Sequence, residues 1–308
     1  MNEFLNSAWA LCIQVIILFL LMAVGFAISK AKIINEKSIS SFVDILVYIV
    51  TPCLIINSFL SVKFTNETIK NLLIAAGCAV VSHIIGIAFS YTLFDKNQTK
   101  KSVYRFGAIF SNAGYMGLPL AQAVFGSEGI FYGSIYVVVF NIIQWTYGIT
   151  IYDKNTKSLA KILINPGTIG VAVGLPLFLL KVSLPDMIAQ PIVYLSSLNT
   201  PLAMLITGYY FACSDLRKGL SNIKLWQTIA YRMILIPIVA LLVFKYIFGL
   251  SGVLLCCCVL PASAPVAVNT MVLASKYGAD TDIGLKLVTI STLLSVVTMP
   301  IILAFAGI

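Results

Sequence analysis

Charged residues are scarce in this chain of 308 residues, and histidine is nearly absent. Only 10 % of the residues are charged, and there is one histidine. Soluble domains carry roughly 25 % charged residues, so this composition excludes a soluble globular protein. Sixty per cent of the residues are hydrophobic. At about 20 apolar residues per spanning helix, the chain has room for about ten membrane helices, which predicts one integral membrane domain.

The chain also lacks the residue patterns of a metal site or an enzyme active site. No CxxC pair and no HExxH or GxSxG motif occurs. The cysteines fall in or at the edge of apolar runs, which predicts small buried side chains without disulfides or zinc. We therefore expect no cofactor, no metal and no enzymatic activity. These cysteines are Cys12, Cys53, Cys78, Cys213, Cys256, Cys257 and Cys258.

The net charge of +9 comes from lysines and arginines in short loops between apolar runs. The positive-inside rule explains such cations, so nucleic-acid binding is not expected. With the amino terminus outside, fifteen cations fall in inner loops and only Lys63, Lys70, Lys181 and Lys245 fall outside. This distribution predicts a multi-pass protein of the inner or plasma membrane with both termini on the non-cytoplasmic side.

The apolar runs predict ten transmembrane helices in two sets of five. The first set occupies residues 1–153 and the second residues 166–308, with a short cytoplasmic linker at 154–165. Because each set has an odd number of helices, the second enters the membrane upside down relative to the first. The predicted helices are Ala8–Ile28, Ser41–Leu60, Asn71–Leu93, Tyr104–Phe125, Gly129–Ile151, Pro166–Leu180, Pro191–Cys213, Trp226–Phe248, Gly252–Lys276 and Ile283–Phe305.

Short stretches of the first half recur in the second half at a nearly constant offset. Phe125-Gly126-Ser127-Glu128 corresponds to Tyr277-Gly278-Ala279-Asp280, and Thr51-Pro52 corresponds to Thr200-Pro201. Each match is weak by itself, but two in order support a five-plus-five inverted repeat.

The fourth and ninth predicted helices are each interrupted near the middle by small, polar and helix-breaking residues. The interruptions are Ser111–Pro119 and Pro261–Thr270. Unpaired backbone groups at bilayer depth persist only where they line a protein cavity. A matched pair of such breaks is typical of the substrate site of a secondary transporter. Kinks packed by small residues are the alternative, and the matched position argues against it.

Each break places the amino terminus of a half-helix near the membrane centre, where free amides and the helix dipole favour an anion. We expect Pro119 and Pro265 to lie in the first turns of those half-helices. Side chains and glycines of both breaks complete the predicted substrate site. Its residues are Asn112, Gly114, Tyr115, Gly117, Pro119, Ser263, Pro265, Asn269 and Thr270.

The carboxy-terminal residues resemble the signature of the auxin efflux carrier family, which includes bacterial malate and malonate permeases. The resemblance is carried by Tyr277–Asp280, Ser291–Ser295 and Thr298–Pro300, and by the Asn112–Pro119 stretch. It implies ten helices in an inverted repeat, a scaffold and a transport domain, two broken helices that cross, and elevator-type transport of organic anions. The short middle loop favours a bacterial-type carboxylate carrier over an auxin carrier.

Other polar residues are candidates with a strong structural alternative. A threonine before proline often rebonds a freed carbonyl, so substrate contact at the supporting residues stays open. These are Thr51, Pro52, Asn199, Thr200, Pro201, Asn141 and Gln144. Asp44 and His83 are candidates for coupling to H⁺ or Na⁺. For Asp44 a surface ion pair with Lys30, Lys32 or Lys37 is favoured, and for His83 a hydrogen-bonded packing role is favoured. For Arg232 we expect snorkelling to the inner surface, and a guide for anions in the inner vestibule is the alternative.

The sequence therefore predicts a secondary carrier of small carboxylates that contacts the lipid bilayer, and a homodimer is left open. A sodium/proton antiporter is the alternative within transport. Cation exchange needs carboxylates at the break, and neither break contains one. A membrane-embedded enzyme is the least favoured reading, because no nucleophile, base or metal cluster is visible.

Overall fold

The structure is a computed structural model that describes residues 2–93, 95–153, 166–213 and 221–307. Over these residues the chain is helical, and the only strand-like feature is one isolated bridge. The predicted linker at 154–165 lies outside the described residues. The helices are α1 (Asn2–Lys30), α2 (Glu36–Ser61), α3 (Asn66–Ser90), α4 (Gln98–Ile109), α5 (Ala113–Tyr152), α6 (Pro166–Leu179), α7 (Asp186–Ser197), α8 (Asn199–Cys213), α9 (Ile223–Ile247), α10 (Gly252–Ser263), α11 (Asn269–Lys276) and α12 (Thr281–Ala306).

Five of these helices, α2, α3, α5, α9 and α12, are long and apolar enough to cross a membrane. Shorter apolar segments lie at Ile16–Lys30, Ile169–Leu179 and Gly252–Ser263. The prediction of an all-helical membrane protein is confirmed. The predicted seventh span differs, because Asp186–Ser197 and Asn199–Cys213 form two segments joined at Leu198.

A π-helical turn of five residues precedes three of the prolines inside long helices. Proline has no amide hydrogen, and its ring clashes with the carbonyl four residues earlier in an α-helix. The wider turn avoids this clash because the residue before proline donates to the carbonyl five residues earlier. The pairs are Leu46–Val50 before Pro52, Ala113–Gly117 before Pro119, and Tyr231–Leu235 before Pro237.

The helices pack as two groups. In the first group α1 lies along α8, while α2 packs on α6 and α7. In the second group α3 packs on α5, α9 and α10, and α10 also packs on α5 and α9. Helix α12 packs on α4, α10 and α11. At the contact of α1 with α8, Gly25 and Gly208 bring the two backbones together. The interrupted helices therefore belong to the second group, and α2 and α8 of the first group face them.

Two glycines end corresponding half-helices in the left-handed backbone region. Gly126 has φ of 59° and breaks α5 into two segments, and Gly278 has φ of 65° between α11 and α12. This region favours glycine because a Cβ would meet the following carbonyl. Both glycines belong to the recurring sequence pair noted above. After the second turn, the side chain of Asp280 accepts a hydrogen bond from the amide of Ile283 and caps α12.

Candidate functional site

Both predicted interruptions are present, and they lie against each other. The first separates α4 from α5 at residues 110–112, and the second separates α10 from α11 at residues 264–268. The amide of Asn112 donates to the carbonyl of Pro265 at 2.6 Å, and the amide of Ala267 donates to the carbonyl of Phe110 at 3.0 Å. These bonds form an antiparallel bridge between Ser111 and Val266. We call this contact the crossing.

The crossing uses some of the amides that the breaks release and leaves others free. Besides the two bonded amides, that of Val266 donates to Ser291 Oγ of α12 at 3.0 Å. Among the described residues, no acceptor is present for the amides of Ala113, Gly114 and Tyr115 at the start of α5, or of Val268 and Asn269 at the start of α11. These groups are the unpaired donors expected of two helix amino termini.

The predicted place in a first turn holds for one of the two prolines. Pro119 lies in the first turn of the α-helical part of α5, which begins at Leu118 after the π-helical turn. The prediction for Pro265 is wrong. Pro265 lies within the extended segment before α11, where its carbonyl accepts the bond from Asn112. The π-helical turn that opens α5 and the first turn of α11 thus keep amide hydrogens that proline would have removed.

A cavity of about 450 Å³ opens beside the crossing. It reaches from buried Asn112 and Gln144 to exposed Asp44 and Lys276. Asn141, Asn269 and Thr51 add further polar groups, and apolar side chains form the remaining wall. The apolar and aromatic residues that line it include Val43, Val47, Tyr48, Tyr115, Val137, Phe140, Trp145, Ile206, Tyr210 and Val272.

Two asparagines, one from each break, present amide groups to the cavity. The Nδ2 of Asn269 donates to Gln144 Oε1 at 3.0 Å, which joins α11 to α5. The Nδ2 of Asn112 is buried and has no hydrogen-bond partner among the described residues. A buried donor without a partner is costly and rare in folded proteins. Asn112 lines the cavity, and its Nδ2 is a buried donor without a partner beside it.

The structure brings together some of the predicted site residues and not others. Asn112, Gly114, Tyr115 and Asn269 of the breaks line the cavity, as do Thr51, Asn141, Gln144 and Asp44. The Thr51 hydroxyl donates to the carbonyl of Leu46 at 2.8 Å, which agrees with the rebonding alternative. The remaining predicted residues do not line it: Gly117, Pro119, Ser263, Pro265, Thr270, Pro52, Asn199, Thr200, Pro201 and His83.

Several of those remaining residues have partners elsewhere. The Ser263 hydroxyl donates to the carbonyl of Leu260 at 2.8 Å within α10. Gly117 faces the backbone of Pro261, whose Cα would lie 3.6 Å from an added Cβ. The ring of His83 packs behind the cavity wall against Phe110, Tyr136 and Phe140. Its Nδ1 lies 2.7 Å from the carbonyl of Ala79 and donates to it, because a carbonyl can only accept.

The predicted ion pair of Asp44 with a neighbouring lysine is absent from the described part of the chain. Lys30 instead donates to the carbonyl of Ala212 at 2.9 Å, across the α1–α8 contact. Asp44 lies on α2 and borders the cavity. The sequence placed it near the end of its helix but could not show that this end faces the crossing.

The prediction that Arg232 snorkels to the inner surface is wrong. Its side chain is 1 % exposed and lies among the largest fully buried side chains of the described residues. The guanidinium donates to the carbonyls of Ala108 and Ile109 of α4 and Ala262 of α10. It therefore reaches the crossing from the side opposite the helix amino termini.

Sequence reasoning missed Trp145 and Tyr210, which line the cavity from α5 and α8. Neither is marked by its sequence neighbourhood, since both lie in apolar runs of a chain with 11 % aromatic residues. Only the packing of α8 against the start of α5 brings Tyr210 to the site.

Comparison with known families is consistent with this geometry. A model of the membrane transport protein family matches residues 10–303, nearly the whole chain. The chain belongs to this family, that of the auxin efflux carriers. The resemblance carried by the carboxy-terminal residues is thus confirmed, and membrane transport is the activity of the family.

The transporter has archaeal relatives that it matches over nearly their whole length. It is 24 % identical over 296 residues to an uncharacterized transporter of Methanothermobacter thermautotrophicus, an alignment that covers 93 % of this chain and 95 % of the relative. It is 25 % identical over 298 residues to the uncharacterized transporter MJ1031 of Methanocaldococcus jannaschii, with 92 % and 95 % covered. The likeness extends over both interrupted helices.

Proposed function

We propose that this transporter is a secondary carrier of small organic anions, and that a carboxylate binds in the cavity at the crossing. One observation carries the proposal. The residues that line the same cavity include Asn112, with its unpartnered Nδ2, and four residues with free amides at the two helix amino termini: Gly114, Tyr115, Val268 and Asn269. Each helix terminus carries about half a positive charge, and such termini bind carboxylates and phosphates.

The size and lining of the cavity suit a small carboxylate. Its volume of about 450 Å³ falls within the range of small-molecule sites. Valine, phenylalanine and tryptophan side chains cover most of the wall, so an aliphatic part of the substrate is desolvated there. The polar groups are concentrated at Asn112, Asn141, Gln144 and Asn269, which can fix the orientation of a carboxylate.

An elevator-type movement is our proposal for alternating access. The cavity lies between the two packing groups, with α2 and α8 on one side and α5 and α11 on the other. A movement of the second group along the first would carry the crossing and its ligand together. The exposed end of the cavity bears Asp44 and Lys276, which the charge distribution places at the cytoplasmic side, so we assign a state open to the cytoplasm.

The proposed five-plus-five repeat is supported by the pairing of helices within the first group. In an inverted repeat, a contact between the first helix of one half and the second helix of the other half must have a reciprocal contact. The contact of α1 with α8 and that of α6 with α2 form such a reciprocal pair. The matching left-handed glycines at 126 and 278 provide a second, local correspondence.

Coupling to an ion is part of the proposal, with Asp44 as the candidate. A carboxylate beside the path of an anion repels it unless a proton or Na⁺ neutralises the charge. Varying pH and sodium in uptake assays of wild type and Asp44→Asn tests this role. An Asp44→Asn variant that keeps the wild-type dependence on both ions excludes Asp44 from coupling.

The binding site is tested by uptake of a dicarboxylate panel into proteoliposomes. We expect saturable uptake by the wild type, and loss of uptake in Asn112→Ala and Asn269→Ala. Asn57→Ala is the matched control, because Asn57 contacts Ser196 in the first group and does not line the cavity. Size-exclusion profiles verify folding. Wild-type uptake by both site variants would refute the assignment of the site.

A further inference from the structure

Arg232 is the one arginine whose guanidinium, among the described residues, bonds to both interrupted helices. Its Nη1 donates to the carbonyl of Ile109 at 3.0 Å and to that of Ala108 at 3.3 Å. Its Nη2 donates to the carbonyl of Ala262. Ala108 and Ile109 end α4, and Ala262 lies in the last turn of α10. The planar fork of an arginine is suited to such a double contact.

These carbonyls are the negative ends of two helices. The last carbonyls of a helix have no intrahelical partner, and each helix end carries about half a negative charge. Two such ends therefore offset the two positive amino termini on the other side of the crossing. The charge of one arginine equals in size the summed negative charge of the two carbonyl ends, so the positive charge of the two amino termini is no longer offset.

The guanidinium of Arg232 has no acidic partner in the described part of the chain, where its three hydrogen-bond acceptors are backbone carbonyls. A buried cation is retained at considerable cost, so its presence calls for a role. Carbonyl dipoles, rather than a carboxylate, compensate it. A carboxylate would have cancelled the charge outright.

We propose that Arg232 is a positioning residue that holds the two interrupted helices together and leaves the crossing with a net positive field for a dianionic substrate. This inference rests on the proposed anion transport and deepens it, because it predicts a preference for dianions. Arg232 does not line the cavity and acts through the crossing.

The size of the effect follows from the separation. Three residues lead from Ile109, which contacts the guanidinium, to Asn112 at the cavity, so we take the guanidinium and a bound carboxylate to be on the order of 10 Å apart. At that distance and an effective dielectric constant of about 20, one charge changes the affinity for another by on the order of tenfold. A dianion is therefore expected to lose about tenfold more than a monoanion when the charge is removed.

The test compares malonate, succinate and malate with their monoamides in proteoliposomes. For the best-transported pair, Arg232→Gln should reduce the ratio of apparent affinities by on the order of tenfold. A purely structural role would lower the rates for both members of the pair and leave this ratio unchanged. Arg232→Lys should keep the ratio but transport more slowly, because an ammonium is a point charge without the fork.

A second variant keeps the guanidinium and cancels its charge. Thr228 is buried on α9 one turn before Arg232, so Thr228→Asp places a carboxylate beside the guanidinium. Thr228→Asn is the control, because it differs from Thr228→Asp by one charge only. Thr228→Asp should lose the dianion preference and Thr228→Asn should keep it. Lys245→Gln removes a half-buried cation of the same helix, whose Nζ donates to the carbonyl of Phe305, and should also keep the preference.

Three results would overturn the inference. Two of them are a wild-type ratio of the apparent affinities for dicarboxylate and monoamide in folded Arg232→Gln or in Thr228→Asp. The third is loss of the dianion preference in Arg232→Lys, in which the charge remains. Failure of the proposed function appears differently, since the wild type would then transport neither the dicarboxylates nor their monoamides.

Discussion

The contact of α1 with α8 predicts that Gly208→Ala destabilises the protein strongly. A Cβ at position 208 would lie 2.0 Å from the carbonyl oxygen of Met22, 2.7 Å from the amide nitrogen of Phe26 and 2.9 Å from Gly25 Cα. All three atoms belong to the backbone of α1, so no side-chain rotation relieves the overlap. The two helices must separate along their length to admit one methyl group.

We expect this substitution to cost about 3 kcal/mol, the upper part of the usual range for overpacking. Gly77→Ala on α3 is the matched control, because nothing lies within 4 Å of a Cβ there. The control should be neutral or gain up to about 1 kcal/mol from the better helix propensity of alanine.

The measurement is thermal unfolding of the full chain in detergent at a fixed scan rate, because unfolding of such proteins is often irreversible. At about 2 °C per kcal/mol for a chain of this size, Gly208→Ala should melt roughly 6 °C below the wild type. Equal midpoints for Gly208→Ala and Gly77→Ala would show that the backbones do not touch and would refute the packing of α1 on α8.

Three further substitutions test other contacts. Thr51→Val should cost no more than about 1 kcal/mol and leave the apparent affinity for substrate unchanged, because its hydroxyl bonds to a carbonyl of its own helix; a large rise in KM would show substrate contact instead. Ser291→Ala should lower the free energy of unfolding by about 1–3 kcal/mol, because it leaves the Val266 amide unpaired. The control is Ser90→Ala, whose hydroxyl donates to the carbonyl of Ile87 in its own helix, and thermal unfolding should show a smaller loss of stability for it. Gly278→Ala should lower the melting midpoint by the equivalent of about 1 kcal/mol, because φ is 65° there; an unchanged midpoint would contradict the left-handed turn.

The two interruptions show which features of the site periodicity and composition can predict. Small, polar and helix-breaking residues at the middle of two apolar runs of membrane length located both breaks. The sequence also indicated that they pair, because they occupy matching places. The hydrogen bonds of the crossing were not accessible, since they join residues more than 150 positions apart, as between Asn112 and Pro265.

The site itself was predicted only in part. The predicted site residues in the breaks include Asn112, Gly114, Tyr115 and Asn269, and all four line the cavity. Ser263 is also small and polar, yet it is buried away from the cavity, and its hydroxyl donates to the carbonyl of Leu260 in its own helix. Which side of a half-helix meets a cavity depends on the rotation of that helix in the bundle, and local sequence does not fix this rotation.

The sequence alone determined that the chain is a helical membrane protein with two matched interruptions, because the bilayer imposes length and apolarity on each span independently of its neighbours. The tertiary structure decided where Arg232 and Asp44 lie relative to those interruptions. A guanidinium six residues past a predicted helix start can reach either the surface or the interior by length. Only the position of the carbonyl ends of α4 and α10 makes the interior the place where its charge is compensated.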